Sequence, residues 1–380
     1  MNRGPIAEID LSALQHNLSI LRNITSERQV IAVVKADAYG HGALPVAQRL
    51  QDEGVSMLAV AFTGEAKTLR EGGIRAPILV LFDRDDLDDY FTFALTPVIQ
   101  DRPAAARFSS EAVRRGCRLR AHLKIDSGMG RVGLRADEAV SDALSIAEMK
   151  GIEITGLMSH FSEADLADRS YAEKQIGIFQ KIRQELAGRL GNTVICHMAN
   201  SAAALSLNYG ALNPLAMNSS ALSHDDLDAV RPGLLLYGYS PLEEQYGLRP
   251  LMKIRTKALA VRDLAAGSPV GYGRTFVTKR PSRIAVVPIG YADGFSRRYS
   301  NNGVMLVRGV RVPVVGRICM DLTMVDVTDV AGVTEGDEVV VLGRQGRDAI
   351  SALELATRAD TIPYEILTSL GNMAQKTYIN

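Results

Sequence analysis

Short apolar runs separated by amphipathic stretches fill the first two thirds of the chain. The runs are rich in β-branched and small apolar residues, as in strands that are covered on both faces. They predict eight strands: Val30–Val34, Met57–Ala61, Ile78–Phe82, Thr96–Ile99, Leu119–Lys124, Ile154–Ser159, Thr193–Cys196 and Ala229–Val230. Helical patterns such as Ala43–Leu50 and Tyr171–Leu190 lie between them. Eight βα units within about 230 residues favour a (β/α)8 barrel over an open sheet.

The pattern changes after Tyr239-Ser240-Pro241, where the apolar runs come closer together. They predict six further strands: Met252–Leu259, Ile284–Pro288, Val304–Val307, Val312–Val315, Leu322–Val327 and Glu338–Leu342. Their connections hold turn residues such as Asn301-Asn302-Gly303. We therefore expect an α/β chain with a TIM-type barrel over residues 10–245 and a mainly β C-terminal domain over 246–380. Residues 1–9 form an N-terminal segment that is free to pack with the C-terminal domain.

Composition and charge exclude several classes of protein. The 380 residues include 43 Lys+Arg and 43 Asp+Glu, so no net charge attracts nucleic acid or an anionic membrane. No stretch has the length of a transmembrane helix or the pattern of a signal peptide, and we expect a cytoplasmic protein. The three cysteines, Cys117, Cys196 and Cys319, have no metal-ligand spacing, so we expect reduced thiols and no metal.

Lys35 is the first candidate for chemistry, because it ends the first predicted buried strand. Its amine can form an imine with an aldehyde cofactor, and desolvation lowers the pKa of an amine and makes it more nucleophilic. Gly40 and Gly42 follow and permit a tight turn or a close approach of the backbone to a ligand. The alternative is an ordinary lysine that leaves the core and is solvated.

Polar residues also follow four of the other predicted barrel strands. They are Lys124 and Arg131 after the fifth strand, His160 after the sixth, His197 and Ser201 after the seventh, and Arg231 after the eighth. The catalytic groups of such barrels come from the carboxyl ends of the strands, which lie at one face. So many ionisable or hydroxyl groups at these positions predict a site at that face.

Ser201 and the backbone N–H groups of Gly233 and Leu234 are candidates to bind a phosphate, since phosphate sites recur after the last two strands of this fold. Alternatively, Asn200-Ser201 caps the following helix, a role that uses the same donors. An imine-forming lysine and a phosphate site at one barrel end together point to pyridoxal phosphate.

Several segments, in this order along the chain, carry a resemblance to a known family. They are Ala32-Val33-Val34-Lys35-Ala36-Asp37-Ala38-Tyr39-Gly40-His41-Gly42, Lys124–Arg131, Asn200-Ser201, Arg231-Pro232-Gly233, Gly271-Tyr272-Gly273, Gly316-Arg317-Ile318-Cys319-Met320-Asp321 and Pro363-Tyr364-Glu365. By these segments the chain resembles the alanine racemases, pyridoxal-phosphate enzymes of fold type III that consist of a barrel and a β domain. The resemblance extends over nearly the whole chain.

The resemblance implies catalytic and substrate-binding roles for four residues. Lys35 carries the cofactor and is one base, and Tyr272 is the second base on the opposite face of the substrate. Arg131 and the backbone of Met320 meet the substrate carboxylate. Taken alone, the local sequence favours a turn tyrosine for Tyr272 and a core-packing residue for Met320. A free tyrosine titrates near ~10, so Tyr272 needs neighbours that favour its phenolate.

The remaining roles implied by the resemblance concern the cofactor and its surroundings. Phosphate binding falls to five residues: Tyr39, Ser201, Gly233, Leu234 and Tyr364. Arg231 faces the pyridine nitrogen, His197 supports Arg231, and His160 lies beside the ring. The lysine at the position of Lys124 is often carbamylated in the family and orients the substrate-binding arginine. Asp321 is either a supporting residue or an ordinary turn residue.

The resemblance implies two-base interconversion of L-alanine and D-alanine, which supplies D-alanine for peptidoglycan. It also implies a head-to-tail homodimer in which Tyr272 and Met320 serve the partner's site. The alternatives are a racemase of serine or of broader specificity, a decarboxylase and a non-catalytic pyridoxal-phosphate-binding protein. Tyr364 favours a small pocket and alanine. Leu207–Asp228 is an insertion relative to the family, either at the surface or at the site entrance or dimer rim.

Overall fold

The computed structural model describes residues 4–26, 28–190, 194–206 and 227–380. Nearly all of the predicted insertion, residues 207–226, lies outside the described residues. The chain divides into two compact units. The barrel unit contains Gln15–Ala36 and Leu44–Arg249, and the β unit contains the described residues up to Leu14 together with Asp37–Ala43 and Pro250–Asn380.

The barrel unit is a closed ring of eight parallel strands. After β1 (Ile6–Asp10) and α1 (Leu11–Ile24), the ring is formed by β2 (Gln29–Val33), β3 (Met57–Val60), β4 (Ile78–Val80), β5 (Thr96–Ile99), β6 (Leu119–Asp126), β8 (Ile152–Met158), β9 (Ile195–His197) and β10 (Ala229–Val230). Neighbours pair in this order, and β10 pairs with β2 to close the ring. A short strand, β7 (Leu134–Arg135), pairs with β6. Every residue of β3 and β4 is buried, as expected for strands covered on both faces. The predicted barrel is confirmed.

Helices follow most of the barrel strands. They are α2 (Lys35–Tyr39), α3 (Ala43–Asp52), α4 (Thr63–Glu71), α5 (Leu87–Thr92), α6 (Arg102–Arg115), α7 (Ala139–Ala147), α8 (Ser170–Leu186) and α9 (Ser201–Ser206). The helix predicted over Tyr171–Leu190 ends earlier, because Gly188 adopts a φ of +71° just beyond it. Among the described residues, no helix has the length and apolarity needed to cross a bilayer.

The β unit contains one large sheet and two small ones. Its strands are β11 (Met252–Lys257), β12 (Ala260–Leu264), β13 (Pro269–Val270), β14 (Phe276–Val277), β15 (Ser282–Val287), β16 (Val304–Val307), β17 (Val310–Pro313), β18 (Thr323–Asp326), β19 (Glu338–Gln345), β20 (Asp348–Ile350) and β21 (Gln375–Ile379). The large sheet has the order β17-β16-β19-β11-β1-β21, with β20 on β19. The strands β12, β15 and β18 form a second sheet, and β13 pairs with β14.

Two features of the β unit differ from the sequence pattern. The strand predicted over Met252–Leu259 ends earlier, at Lys257 of β11, and the separate strand β12, which the pattern did not indicate, begins at Ala260. Two helices that the pattern did not indicate, α10 (Ala352–Ala359) and α11 (Pro363–Met373), lie near the carboxyl end. The predicted mainly β character of this region is nevertheless confirmed.

Candidate active site

The backbone becomes left-handed immediately after Lys35. The strand β2 ends at Val33, and α2 is a single turn in which the φ angles of Ala36 to Tyr39 lie between +53° and +56°. Each non-glycine residue in this conformation costs ~1–2 kcal/mol, so the turn depends on contacts outside its own backbone. His41 supplies one of them, since its Nδ1 donates to the carbonyl oxygens of Ala38 and Tyr39 at 2.9 and 3.1 Å. Lys35 therefore stands at the start of a strained turn, two residues beyond the strand that it was predicted to end.

The Lys35 amine shares its surroundings with a second cation and an aromatic ring. Its Nζ lies 5.6 Å from the centroid of the Phe82 ring, and the Arg131 guanidinium carbon lies 5.4 Å from the same centroid. Burial lowers the pKa of Lys35, the charge of Arg131 lowers it further, and the Glu65 carboxylate opposes the shift. A lowered pKa leaves more of the amine unprotonated and nucleophilic. An ordinary solvated lysine would not show this burial.

Lys124 is the second basic residue of this region. It lies on β6 and is only 4% exposed. Burial lowers its pKa well below the usual value, and Arg231 and Arg131 add to the shift. Gly133 approaches this part of the strand so closely that a Cβ on it would lie 2.8 Å from the Asp126 nitrogen and 3.0 Å from Lys124 Cγ. Lys124 therefore lies in a tight part of the barrel where burial favours the neutral form of its amine.

His160 marks the point where these cations converge. Burial lowers its pKa well below the usual value, and further lowering comes from Arg231, Lys124, Arg131 and Lys35, in that order. Four basic side chains thus act on one imidazole within the barrel unit. Cations gathered in this way repel one another unless an anion balances them, so the arrangement suits a ligand that carries phosphate or carboxylate groups.

Arg231 is a buried cation, and two neighbouring segments of the chain fix its position. It is 4% exposed, and its Nη1 donates to His197 Nδ1 at 2.6 Å and to the His197 carbonyl at 2.8 Å. Its Nη2 donates to the carbonyl oxygens of Ser159 at 2.6 Å and Met198 at 3.1 Å, and lies 3.2 Å from His160 Nδ1. A guanidinium held by this many acceptors has one orientation.

His122 extends this network and was missed as a site residue by the sequence reasoning. Arginine can only donate, so His197 Nδ1 must accept and His197 Nε2 must carry the proton. The Nε2–H then donates to His122 Nδ1 at 2.8 Å. Gly156 on β8 makes room for the second ring, since a Cβ there would lie 2.4 Å from His122 Cγ. The sequence did contain one signal for His122, because this histidine lies in a predicted strand two residues before the candidate Lys124.

The sequence left open whether Asn200-Ser201 caps a helix or binds a phosphate, and the structure gives the two side chains different contacts. Asn200 Oδ1 accepts from the Ala203 N–H at 2.9 Å and caps α9. The Ser201 hydroxyl instead accepts from the N–H of Gly233 at 2.9 Å and from that of Leu235 at 3.4 Å. Because Asn200 caps the helix, the Ser201 hydroxyl is free to lie among backbone N–H groups at the ends of β9 and β10, where a phosphate could bind.

Two predicted phosphate ligands lie together in the β unit. The rings of Tyr39 and Tyr364 have centroids 5.8 Å apart, and burial raises the pKa of the Tyr39 phenol, so its hydroxyl keeps its proton. Tyr364 lies in the first turn of α11, after Pro363. Gly40 packs against this helix so closely that a Cβ would lie 2.6 Å from the Leu367 carbonyl oxygen. The close packing fixes the turn that carries Tyr39 relative to α11.

Tyr272 and Met320 also belong to the β unit, and both are exposed, at 68% and 54%. Tyr272 occupies a tight turn beside Gly273, which has a φ of +68°. Met320 is therefore not the core residue that one interpretation of the sequence suggested. The loop that carries it is fixed by the N–H groups of Tyr291 and Ala292, which donate to the carbonyls of Cys319 and Met320 at 3.1 and 3.0 Å.

The exposed Asp321 completes the predicted set. Its charge helps to raise the pKa of Asp293, whose main cause is burial. The barrel unit contains Lys35, Lys124, Arg131, His160, His197, Ser201, Arg231, Gly233 and Leu234, and the β unit contains Tyr39, Tyr272, Met320, Asp321 and Tyr364.

Fold and site together define a class: a closed (β/α)8 barrel with a lysine of lowered pKa at a cation-rich end, joined to a mainly β unit. The family models for the N-terminal and C-terminal domains of alanine racemase match residues 9–241 and 251–378. The chain belongs to the alanine racemase family. The predicted resemblance and fold class are confirmed.

Individual relatives agree over the full length. An alanine racemase from Thermodesulfovibrio yellowstonii is 46% identical over 383 residues, which cover 100% of this chain and 99% of the relative. The structure of alanine racemase from D-cycloserine-producing Streptomyces lavendulae matches with a TM-score of 0.90 and 32% identity, covering 100% of this chain and 98% of the other. The alanine racemase structure from Bartonella henselae, described with covalently bound pyridoxal phosphate, matches with a TM-score of 0.84 and 29% identity and covers both chains completely.

Proposed function

We propose that this protein binds pyridoxal phosphate at Lys35 and interconverts L-alanine and D-alanine. The observation that carries the proposal is the half-buried Lys35 amine, whose pKa is lowered beside Arg131 at the end of the barrel. The names of the full-length relatives support alanine as the substrate.

The residues of the barrel unit fit this cofactor in three respects. The amine of Lys35 suits an aldehyde, the backbone N–H groups around Ser201 suit a phosphate, and Arg231 is a fixed donor deep in the site. When bound, pyridoxal phosphate supplies an aldehyde for amino groups and a ring that withdraws electrons from the substrate α-carbon. We assign phosphate binding to Tyr39, Ser201, Gly233, Leu234 and Tyr364.

In the proposed reaction Lys35 and Tyr272 move protons at the substrate α-carbon on opposite faces. The lowered pKa of Lys35 leaves more of its amine unprotonated, which is the form that can accept a proton. The Arg131 guanidinium binds the substrate carboxylate, and the N–H of Met320 adds a second contact. Among the residues that the structure describes, that N–H has no hydrogen-bond acceptor of its own, which supports the assignment.

Arg231 would face the pyridine nitrogen of bound pyridoxal phosphate and donate a hydrogen bond to it. With a pKa above ~12 an arginine does not transfer its proton, so the ring nitrogen would stay unprotonated. His197 fixes the direction of the guanidinium, and His160 would lie beside the cofactor. Lys124 orients Arg131, and its neutral amine is the form that can react with carbon dioxide to give a carbamate. Asp321 supports the Met320 loop.

The assembly and setting of the protein are further proposals. Tyr272 and Met320 are exposed on the β unit, as expected for residues that act in a partner's site, and we propose a head-to-tail homodimer with shared sites. We place the domain boundaries at residues 10–245 and 246–380, with residues 1–9 as an N-terminal segment. The proposed location is the cytoplasm, and the proposed product role is supply of D-alanine for peptidoglycan.

The test follows deuterium incorporation and loss of optical activity with L-alanine in heavy water, with serine and larger amino acids in parallel. The wild type should incorporate solvent deuterium at the α-carbon and racemise alanine fastest. Lys35→Ala should lose this activity by several orders of magnitude, because it removes both the cofactor attachment and one base. The control Lys67→Ala, on α4, should retain it. Faster turnover of serine, or cofactor binding without exchange, would contradict the proposal.

A further inference from the structure

The Glu65 carboxylate connects the residue after Lys35 to the end of a neighbouring strand. Its Oε1 accepts from the Ala36 N–H at 2.6 Å. Its Oε2 accepts from the N–H groups of Ala61 and Phe62 at 2.7 and 3.1 Å. All of these residues lie in the barrel unit. A single side chain thus bridges the backbone that leaves β2 and the backbone that leaves β3.

The bridge lies where the chain after β2 needs support. Ala36 is the first residue of the left-handed turn, with a φ of +54°. A hydrogen bond to an ionised carboxylate is shorter and stronger than one between neutral groups. Glu65 itself lies in the first turn of α4, where the helix dipole favours a negative charge. The bridge therefore fixes the direction in which the chain leaves Lys35.

Glu65 also supplies a negative charge near the Lys35 amine. The surroundings of this amine come from several elements: the charges of Arg131 after β6 and Glu65 on α4 act on it, the Phe82 ring lies beside it after β4, and Lys35 in turn acts on His160 after β8. Arg131 favours loss of the proton from Lys35, whereas Glu65 favours its retention. The two side chains thus act in opposite directions on the group that would attack the cofactor.

We propose that Glu65 is a positioning residue for Lys35, which holds the backbone at Ala36 and sets the charge around the amine. The proposal deepens the proposed function, since it rests on Lys35 being the cofactor lysine. Glu65 would fix the backbone next to Lys35 and influence the protonation of its amine. Glu65 itself touches no reacting atom.

Two variants separate the effect of the Glu65 charge from the effect of its side-chain length. Glu65→Gln keeps the length of the side chain and removes the charge, and Glu65→Asp keeps the charge and is one methylene shorter. Glu71→Gln is the matched control, since it removes a carboxylate from the exposed far end of the same helix. The full-length protein, freed of bound aldehyde, is labelled with trace acetic anhydride over a range of pH. Mass spectrometry then measures acetylation of the Lys35 peptide relative to exposed lysines.

In Glu65→Gln the pH midpoint for labelling of Lys35 should move down, with labelling about threefold faster at pH 7 than in the wild type. The control should match the wild type. In Glu65→Asp the midpoint should stay near that of the wild type, whereas half-saturation with pyridoxal phosphate should need about tenfold more cofactor. This second variant still tests the proposal if Glu65→Gln does not fold.

A midpoint in Glu65→Gln that is unchanged or raised would overturn the proposal, and so would cofactor affinity in Glu65→Asp equal to that of the wild type. The labelling measurement needs neither alanine nor turnover. A shifted midpoint in a protein that fails to racemise alanine would therefore reject the proposed function alone. Normal racemisation with no shift in the midpoint would reject only the role of Glu65.

Discussion

The direction of each hydrogen bond in the chain from Arg231 to His122 follows from the chemistry of single residues. Arginine has no acceptor, so the proton positions on His197 follow in turn. Both imidazoles are buried and neutral, because burial and the Arg231 charge lower their pKa values. A protonated His197 could not accept from Arg231. The geometry of Arg231 therefore depends on two histidines that stay uncharged.

The neutral state of His122 predicts a pH dependence. Its pKa is lowered from 6.5 to about 3, chiefly by burial. A group with a lowered pKa contributes stability that is present above its unfolded-state pKa and is lost as the pH falls towards the folded-state value. At pH 5 the unfolded chain should therefore bind a proton at His122 that the folded chain does not.

His122→Asn removes this group and keeps an acceptor for His197. Proton uptake on unfolding in guanidinium at pH 5, measured potentiometrically, should fall by about one proton per chain, which equals ~1.4 kcal/mol per pH unit in the free energy of unfolding. His16→Asn is the control for the effect of removing a histidine as such, because His16 lies on the partly exposed surface of α1. Unchanged uptake in His122→Asn would mean that His122 is already charged in the folded protein.

Among the secondary-structure elements, short turns position the groups that are proposed to act on the substrate. The turn that begins at Gly290 approaches the Cys319–Met320 peptides so closely that a Cβ on Gly290 would lie 2.1 Å from the Met320 carbonyl oxygen and 2.4 Å from that of Cys319. Its N–H groups hold the same two carbonyls. The glycine thus permits the contact that orients the Met320 N–H.

Gly290→Ala should displace this loop and weaken the proposed contact of the Met320 N–H with the substrate carboxylate. We expect the KM for alanine to rise about tenfold, as for loss of a hydrogen bond to a charged group, with a smaller change in kcat. Gly177→Ala is the control, because that glycine lies in α8 with no atom within 4 Å of an added Cβ. An unchanged KM in Gly290→Ala would contradict the role of this turn.

Long-range pairing explains which elements the sequence could predict. The barrel strands β5 and β10 and the strand β16 have the predicted bounds, because compact apolar runs between turn residues mark them. β1 was not predicted, since its partners β11 and β21 lie more than 240 residues away. α10 could have been predicted from Ser351 and Glu354, whose capping spacing is local. The left-handed α2 could not, since its conformation depends on tertiary contacts.

At the scale of the whole molecule, the predicted site residues fall on both units of the chain. The basic residues and Ser201 belong to the barrel unit, and Tyr272 and Met320 belong to the β unit. Tyr272 and Met320 were identified through the resemblance to the family. No local sequence pattern singles out Tyr272. Glu65, His122 and Gly290 were missed because the contacts that matter join them to residues distant in sequence. For His122 the local signal was its place two residues before Lys124.

The proposed shared sites can be tested by mixing two inactive subunits. Lys35→Ala and Tyr272→Ala homodimers should each be inactive, because each site lacks one base. After subunit exchange, half of the dimers should be mixed, and each mixed dimer should contain one site with both bases. Activity should then return to about a quarter of that of the wild type. Mixing without exchange is the control, and no recovery after verified exchange would show that each chain supplies its own site.

The central claim is that Lys35 is the cofactor lysine, and chemical trapping tests it most directly. The full-length protein is incubated with pyridoxal phosphate, reduced with borohydride and digested, and the modified peptide is identified by mass spectrometry. We expect one modified residue, Lys35. Modification at Lys124 or any other lysine in place of Lys35, or no trapped cofactor, would contradict the account.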